Sequence, residues 1–383
     1  MSAKKISKST RRKIEKAAKK AAKKHPVATF IVVLLVVAIV GCCVLHRKRV
    51  IHLPFLDGII PQESVQDDII TDELSIHFLE LGSSAPGDCT LIKTGDVEVL
   101  IDAGSTGDSA STIVPYIQSY CTGILDYVIV THADADHIAA FVGTEEVDGV
   151  FESFECGTII DFPKTTKNSD LYNDYVALRD AEVSAGAKHF TALQCWNYEG
   201  NGAQRSYPLA EGITLNILYQ KYYVESTSTE NNNSVCVLLS QGDNHYLFTG
   251  DLQASGEKSL VASNNLPPCK LYKAGHHGSD TSSTKDLIDV IQPEIVVANC
   301  CCGGKYDFPH QEVIDNIAPY TDKFYIPVIT STIKSGYEIL NGNIIVSSNG
   351  EEVNIRFTGK DTKLKDTDWF KANRTTPDKW KAA

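Results

Sequence analysis

The strand-like run Leu125–Val130 and the seven residues after it, Thr131-His132-Ala133-Asp134-Ala135-Asp136-His137, constrain this chain more than any other stretch. Tyr127, Val128, Ile129 and Val130 are β-branched or aromatic and uncharged, which predicts a buried strand. His132, Asp134, Asp136 and His137 follow at once, where the chain leaves that strand. A buried strand running into such a cluster fits an α/β architecture with its active site at a strand end. Imidazole and carboxylate together suit zinc, manganese or iron, so the stretch predicts a hydrolytic metal centre. The bland alternative is an N-capping Asp136 among ordinary polar loop residues.

Charge divides the chain. Residues 1–24 hold eleven Lys or Arg and one acid, Glu15, and residues 1–49 hold fourteen basic residues and that acid, a balance of +13. Subtracting this from the formal total of −12 leaves −25 for residues 50–383. In between, Val27–Leu45 runs nineteen residues without a charge. As a helix it would be roughly 28 Å long, close to the hydrocarbon thickness of a bilayer. The basic excess on its N-terminal side predicts a single-pass protein of the cell membrane. Its parts would be a basic cytoplasmic tail (1–26), a transmembrane helix (27–45), a connector (46–73) and an extracytoplasmic domain. A cleaved signal peptide fits poorly, because the apolar core is long and no small-x-small site follows it. Ile39-Val40-Gly41-Cys42 resembles a lipobox, which leaves lipidation of Cys42 as an alternative. A buried core helix would have nothing flanking it as cover. The nine cysteines beyond this segment include no C-x-x-C pair, which argues against a zinc knuckle. Cys89, Cys236 and Cys300 read as small buried hydrophobes.

The folded domain is expected over 74–358. Short strand-like runs cover 75–81, 89–93, 97–103 and 125–131, with a helix at 109–120 and a short one at 138–142. A helix follows at 170–185, then strands at 213–219, 234–240 and 245–249. Helices at 255–262, 283–291 and 311–317 alternate with strands at 270–274 and 294–299. The runs 337–340, 344–346 and 353–357 read as hairpins turned by Asn341-Gly342 and Asn349-Gly350. Sheets first, then mixed helices and strands, with no Gly-rich phosphate loop and so no nucleotide cofactor, predict an α+β two-sheet core flanked by helices. Residues 359–383 are polar and charged and are expected to fray.

Three further elements carry metal-site chemistry. Gly250-Asp251 follows the apolar run Tyr246-Leu247-Phe248-Thr249, so the backbone can come close while the carboxylate reaches a cation. Gly275-His276-His277-Gly278-Ser279 sets two histidines between glycines, one as ligand and the other on substrate. Leu100-Ile101-Asp102-Ala103-Gly104 ends a strand in an Asp able to hold a ligating His from behind.

In this order and spacing the elements resemble the metallo-β-lactamase superfamily, and within it the hydrolase domain of ComEC-type competence proteins. The resemblance covers about residues 75–357. It rests on Gly87-Asp88-Cys89, Leu100 to Gly104, Thr131 to His137, Asn231-Asn232-Asn233-Ser234, Phe248 to Asp251, His276 to Ser279 and Tyr306 to Val313. It implies an αββα sandwich with one or two zinc or manganese ions at one edge. The implied ligands are His132, Asp134, Asp136, His137, Asp251, His276 and His277. It further implies cleavage of a phosphodiester, with DNA as the partner.

The sequence also departs from the family. Asp134 stands where the superfamily usually has His, as the competence subgroup also does. Asn231, Asn232 and Asn233 stand where another metal-binding His is usual. Ala139 and Ala140 replace glycines, and Phe308 replaces a His, with His310 two residues on. These departures imply a weak first metal site and a fuller second one: Asp136, His137, Asp251 and His276 or His277.

A divalent cation lowers the pKa of adjacent water toward neutrality and so supplies a nucleophile. Asp136, Lys273 and His310 are the candidate catalytic residues. Lys273 or Ser279 would meet the phosphoryl charge, and His310 would protonate the leaving oxygen. The acidic domain opposes a polyanionic substrate, unless Lys270, Lys273, Lys285 and Lys305 reverse the field locally. Two other readings stay open. One is a hydrolase of a different ester, such as a surface phosphocholine ester, a lactone or a lactam. The other is a binding protein with a depleted metal site. The sequence sets no oligomeric state.

Overall fold

A computed structural model describes residues 74–121, 123–331 and 336–381. The predicted basic tail, membrane helix, lipobox and connector lie outside these residues. Among the described residues no helix is long and apolar enough to cross a membrane.

Two mixed sheets face each other. The first has eight strands in the spatial order Val353–Phe357, Ile344–Ser348, Leu74–Phe78, Thr90–Thr94, Val97–Ile101, Ile124–Ile129, Glu155–Asp161 and Lys188–Thr191. The second has seven, in the order Phe324–Tyr325, Ile295–Val297, Leu271–Lys273, Asn244–Phe248, Cys236–Gln241, Ile213–Leu218 and Ser206–Ala210. A small third sheet joins Cys301–Cys302, Val328–Thr330 and Tyr337–Ile339.

Side-chain alternation explains the layering. In the second sheet Val237, Leu239, Tyr246, Phe248 and Val297 point to the inter-sheet core. Their neighbours Leu238, Leu247, Tyr272 and Val296 belong to a separate cluster on the outer face. That outer cluster includes Leu260 of the helix Ala254–Ser263, Ile288 of Lys285–Ile291 and Ile314 of Gln311–Ile317. Phe78 of the first sheet stacks on Phe248 of the second, ring centroids 6.3 Å apart. Truncating such a buried Phe to Ala costs about 3–5 kcal/mol. The helices Ala110–Tyr120, Ala135–Val142 and Asp170–Ala185 bury Ile113, Phe141 and Tyr175 in the cluster that holds the first sheet's core. The result is an α/β sandwich of two sheets.

The topology places the site. Val97–Ile101, Ile124–Ile129 and Glu155–Asp161 run parallel, as do Asn244–Phe248, Leu271–Lys273 and Ile295–Val297. The loops leaving their C-terminal ends carry Asp102, the 131–137 cluster, Asp251 and the 274–279 segment. Thr90–Thr94 is antiparallel to Val97–Ile101, so its N-terminal end brings Asp88 to the same edge.

Three expectations fail here. Asn349-Gly350 does turn the hairpin of Ile344–Ser348 and Val353–Phe357, but Asn341-Gly342 turns none. Tyr337–Ile339 pairs with Val328–Thr330 instead, and Asn341 is fully buried. Its side chain accepts from Ile326 N–H and donates to the carbonyls of Lys360 and Thr362. The segment after 359 does not fray: it forms helices Asp368–Asn373 and Asp378–Lys381 and buries Leu364, Phe370 and Trp380. Three apolar side chains spaced along a polar segment suffice to dock it on the outer face of the second sheet. The four lysines expected to form a basic field are dispersed among partners. Lys270 pairs with Glu294, Lys285 with Asp289 and Lys273 with Asp88, and Lys305 rests on the ring of Tyr306.

Candidate metal centre

The backbone is fixed first. Asp88 N–H donates to the carbonyl of Asp136, Gly104 N–H to that of Asp88, and Ala103 N–H to that of His137. Three separate segments are thereby laced together at van der Waals distance. A Cβ on Gly104 would lie 1.8 Å from the Asp136 carbonyl oxygen, so only glycine fits. Gly250 has a φ of +53° and lies against Thr131 and Ser234, which lets Asp251 N–H donate to Ser234 Oγ at 3.0 Å. Asp102, His276 and His277 are non-glycine residues in the left-handed region, at φ +59°, +48° and +55°. Such strain persists only where surrounding contacts over-determine it.

The imidazoles are held from behind. Asp102 accepts from Thr131 N–H at 2.7 Å, Thr131 Oγ1–H at 2.8 Å and His137 Nδ1–H at 2.8 Å. His277 Nδ1–H donates to the carbonyl of Asn299 at 3.0 Å. Both partners only accept, so the proton sits on Nδ1 and the Nε2 lone pair is left facing the cavity. Four Nε2 atoms then surround one oxygen, Asp251 Oδ2: His137 at 3.3 Å, His277 at 3.4 Å, and His132 and His276 at 3.9 Å each. Asp136 Oδ2 lies 3.3 Å from His277 Nε2. The Nε2 atoms of His132, His137 and His277 are buried without a hydrogen-bond partner, as are Asp251 Oδ1 and Asp88 Oδ1. Buried polar atoms left this way are costly; a cation among them would satisfy them together.

The structure thus gathers His132, Asp134, Asp136, His137, Asp251, His276 and His277 around one cavity. It adds Asp88, to which the sequence assigned no role. One ligand atom each from Asp88, His137, Asp251 and His277 lies within 4.8 Å of the others. Asp88 approaches the rings from their Nδ1 side, 3.3 Å from His277 and 3.8 Å from His137, and forms an ion pair with Lys273. In the sequence Asp88 stands only within the Gly87-Asp88-Cys89 motif of the family resemblance, a carboxylate just before an apolar strand.

The electrostatics agree with the geometry. Burial opposes charge on His137 and His277. Asp251, aided by Asp102 for His137 and by Asp88 for His277, outweighs it and holds both well above the ordinary imidazole range. Burial likewise opposes ionisation of Asp251, but the neighbouring histidines hold its carboxyl well below the usual range. Asp88 is also depressed, since Lys273 and His277 outweigh its burial. A field that pulls protons onto two buried rings also attracts a divalent cation, which would displace them.

Two expected catalytic residues sit differently. Lys273 is 3% exposed, bound to Asp88 and 3.9 Å from Asp251 Oδ1. It lies beneath the cluster and neutralises it rather than reaching outward. His310 spends both ring nitrogens on loop backbone. Nδ1 accepts from Asp280 N–H at 3.1 Å and Nε2–H donates to the Tyr306 carbonyl at 3.0 Å. It fastens the 278–280 loop to the 306–310 loop, with the Asp280 carboxylate also 3.1 Å from Nδ1. His276, partly exposed at the rim, donates or accepts with Thr281 Oγ1 at 2.7 Å.

Two mixed sheets carrying a buried His/Asp cluster at their common edge define a hydrolase of the αββα kind. Residues 84–143 match the profile of the metallo-beta-lactamase superfamily. Over 249 residues the chain is 25% identical to Competence protein ComA of Neisseria gonorrhoeae, covering 64% of this chain and 30% of that one. It is 24% identical to Recombination protein 2 of Haemophilus influenzae over 249 residues, 64% of this chain and 26% of that one. It is 25% identical to ComE operon protein 3 of Bacillus subtilis over 238 residues, 56% and 27%. The chain therefore spans less than a third of the length of each of these relatives. Among solved structures it is similar to the metallo-beta-lactamase fold protein YhfI from Bacillus subtilis, at 14% identity and a TM-score of 0.40, over 69% of this chain and 98% of that one. Residues 84–143 thus carry the profile of the metallo-beta-lactamase superfamily, and ComEC-type competence and recombination proteins are distant relatives of the chain.

Proposed function

We propose that this chain is a metal-dependent phosphodiesterase that cleaves DNA, held at the cell membrane by residues 27–45 with its domain outside. The observation that carries the reading is the ring of four Nε2 atoms around Asp251 Oδ2, three of them buried without a partner. His137, His277, Asp251 and Asp136 would hold a divalent ion, zinc or manganese by donor type. When bound, such an ion activates water and polarises a phosphoryl oxygen. Asp102 and the Asn299 carbonyl keep the two rings in the ligating tautomer. Lys273 keeps Asp88 ionised and cancels part of the buried negative charge. His276, partly exposed at the rim, faces incoming substrate and would position its phosphate. DNA as substrate is supported by the names of the distant relatives, a competence protein and a recombination protein.

The test uses the purified chain with its metal content measured. It is offered single-stranded DNA, double-stranded DNA, a bis-aryl phosphodiester and a β-lactam, beside Asp251→Ala. DNA cleavage that vanishes in Asp251→Ala supports the reading, and cleavage that survives it overturns the metal mechanism. Turnover of the β-lactam alone would move the activity to another ester class. Fewer than about one half ion per chain, with no turnover after added manganese or zinc, would make the chain a binding protein.

A further inference from the structure

We propose that Lys167 stands in for a second metal ion, so that the centre takes one divalent ion, among Asp136, His137, Asp251 and His277. The inference rests on the metal reading above and deepens it. Lys167 Nζ forms an ion pair with Asp134 Oδ1, while Asp134 Oδ2 faces His132 Nε2 at 3.4 Å. His132 and Asp134 are the pair that would open a first metal site, and a fixed ammonium already occupies its carboxylate.

The contact is built into the fold. Glu230 is buried, at 4% exposure, and its Oε2 accepts from Thr166 N–H at 2.5 Å and Thr166 Oγ1–H at 2.8 Å. Its Oε1 accepts from Ala133 N–H at 3.1 Å. The residue before Lys167 and the residue before Asp134 are thus fastened to one carboxylate, which sets the ammonium opposite its partner. Asn233 Nδ2 donates to the same Glu230 at 3.2 Å. This accounts for part of the asparagine run: it braces the strap, the loop over 162–169 that carries Lys167. Asn231 Nδ2 lies 3.2 Å from His276 Nε2, so that ring, too, has a neighbour other than an ion.

Charge bookkeeping points the same way. Four carboxylates reach the cavity, Asp88, Asp134, Asp136 and Asp251, and two ammonium groups answer them, Lys273 on Asp88 and Lys167 on Asp134. With Asp102 behind His137 as a fifth buried carboxylate, two of the five negative charges are already offset by fixed ammonium groups, which leaves less to hold a second divalent ion. Opposed charges this close and partly shielded from water strongly favour neutrality. The Lys167 side chain is 37% exposed at the mouth, where its ammonium can meet a phosphoryl oxygen.

The experiment reads stoichiometry rather than turnover. The full chain is stripped with chelator and titrated with Mn²⁺ and with Zn²⁺ by calorimetry. Bound metal is counted by mass spectrometry after desalting. Wild type should bind about one ion per chain; Lys167→Ala and Lys167→Met should bind about two, the added ion more weakly. Lys167→Met keeps the aliphatic stem, so a loss of packing cannot produce the gain. Two ions of similar affinity in wild type would overturn the proposal, as would a single ion in both variants. No ion in any of the proteins would sink the metal reading itself, which keeps the two failures distinct.

Discussion

Replacing Asp102 by Asn tests how the centre works. Asp102 touches no part of the cavity; it accepts from His137 Nδ1 and from Thr131. Asn is nearly isosteric and tolerates the φ of +59° at this position. Its amide, however, can present Nδ2–H to His137 Nδ1. The imidazole proton would then move to Nε2, where the ion should bind. Loss of such a supporting partner typically weakens metal binding 10–100-fold, about 1.4–2.7 kcal/mol. The fold should lose roughly 1–3 kcal/mol more, because a carboxylate bonded to Thr131 N–H and Oγ1–H becomes a neutral amide. The assay is a competition titration with a chromophoric chelator at neutral pH, paired with urea unfolding of the same sample. An affinity within about threefold of wild type would show that His137 Nε2 is not a ligand, whatever the change in stability.

Other measurements probe separate parts of the structure. His77 is buried, with Tyr116 and Ser75 hydroxyls on its two nitrogens, and burial, aided by Arg356 and Lys93, pushes its pKa down to about 3. The fold therefore holds neutral imidazole, so this contribution is present above about pH 6.5 and is lost as pH falls toward 3, roughly 4–5 kcal/mol in all. Urea unfolding of wild type and His77→Gln from pH 7 to 4 should converge in acid, and parallel curves would refute the assignment. Gly104→Ala should cost about 3 kcal/mol or more and reduce metal affinity, since the added Cβ meets the Asp136 carbonyl and must spread the lacing of the three segments; an unchanged melting temperature would show that the segments are loosely joined. DNA binding should show a shallow salt dependence. Among the described lysines near the site, Lys270, Lys273 and Lys285 pair with carboxylates; Lys305 and Lys167, the latter already bonded to Asp134 at the mouth, are left to meet phosphate, and at most about two contacts give the described domain a log–log slope no steeper than about −2. A slope steeper than about −5 would point to a basic surface elsewhere in the chain.

Much of this was legible because apolar periodicity and ligand chemistry coincide. The helices at 170–185 and 311–317 have the predicted bounds. The strands that carry Asp102, the 131–137 cluster and Asp251 lie within a residue or two of their expected ends. Each is a continuous apolar run, and a run of that kind is buried whatever its neighbours do. Strands that depend on a partner were invisible. Glu155–Asp161 carries Glu155, Thr158 and a glycine, Gly157, that packs against the Asp126 backbone. Lys188–Thr191 and Ser206–Ala210 are short edge strands. Their pairing, and not their composition, makes them strands.

The same distinction runs through the site. Residues that would touch an ion announce themselves by type, because few side chains bind metal and they crowd at strand ends. Residues that govern those ligands do so through geometry, which spacing does not encode. Asp88 enters from an antiparallel strand, Glu230 from a run that reads as asparagine-rich loop, and Lys167 from a strap thirty residues beyond its partner's neighbourhood on the chain. Lys273 and His310 err in the opposite direction. Each is of a chemically apt type beside a ligand loop, yet the fold commits one to Asp88 and the other to backbone. A candidate list drawn from residue type thus finds the side chains that gather at the cavity and misses those that hold them in place. How many ions the cavity takes depends on those holding groups, since its carboxylates have already been divided between two lysines and whatever cation enters.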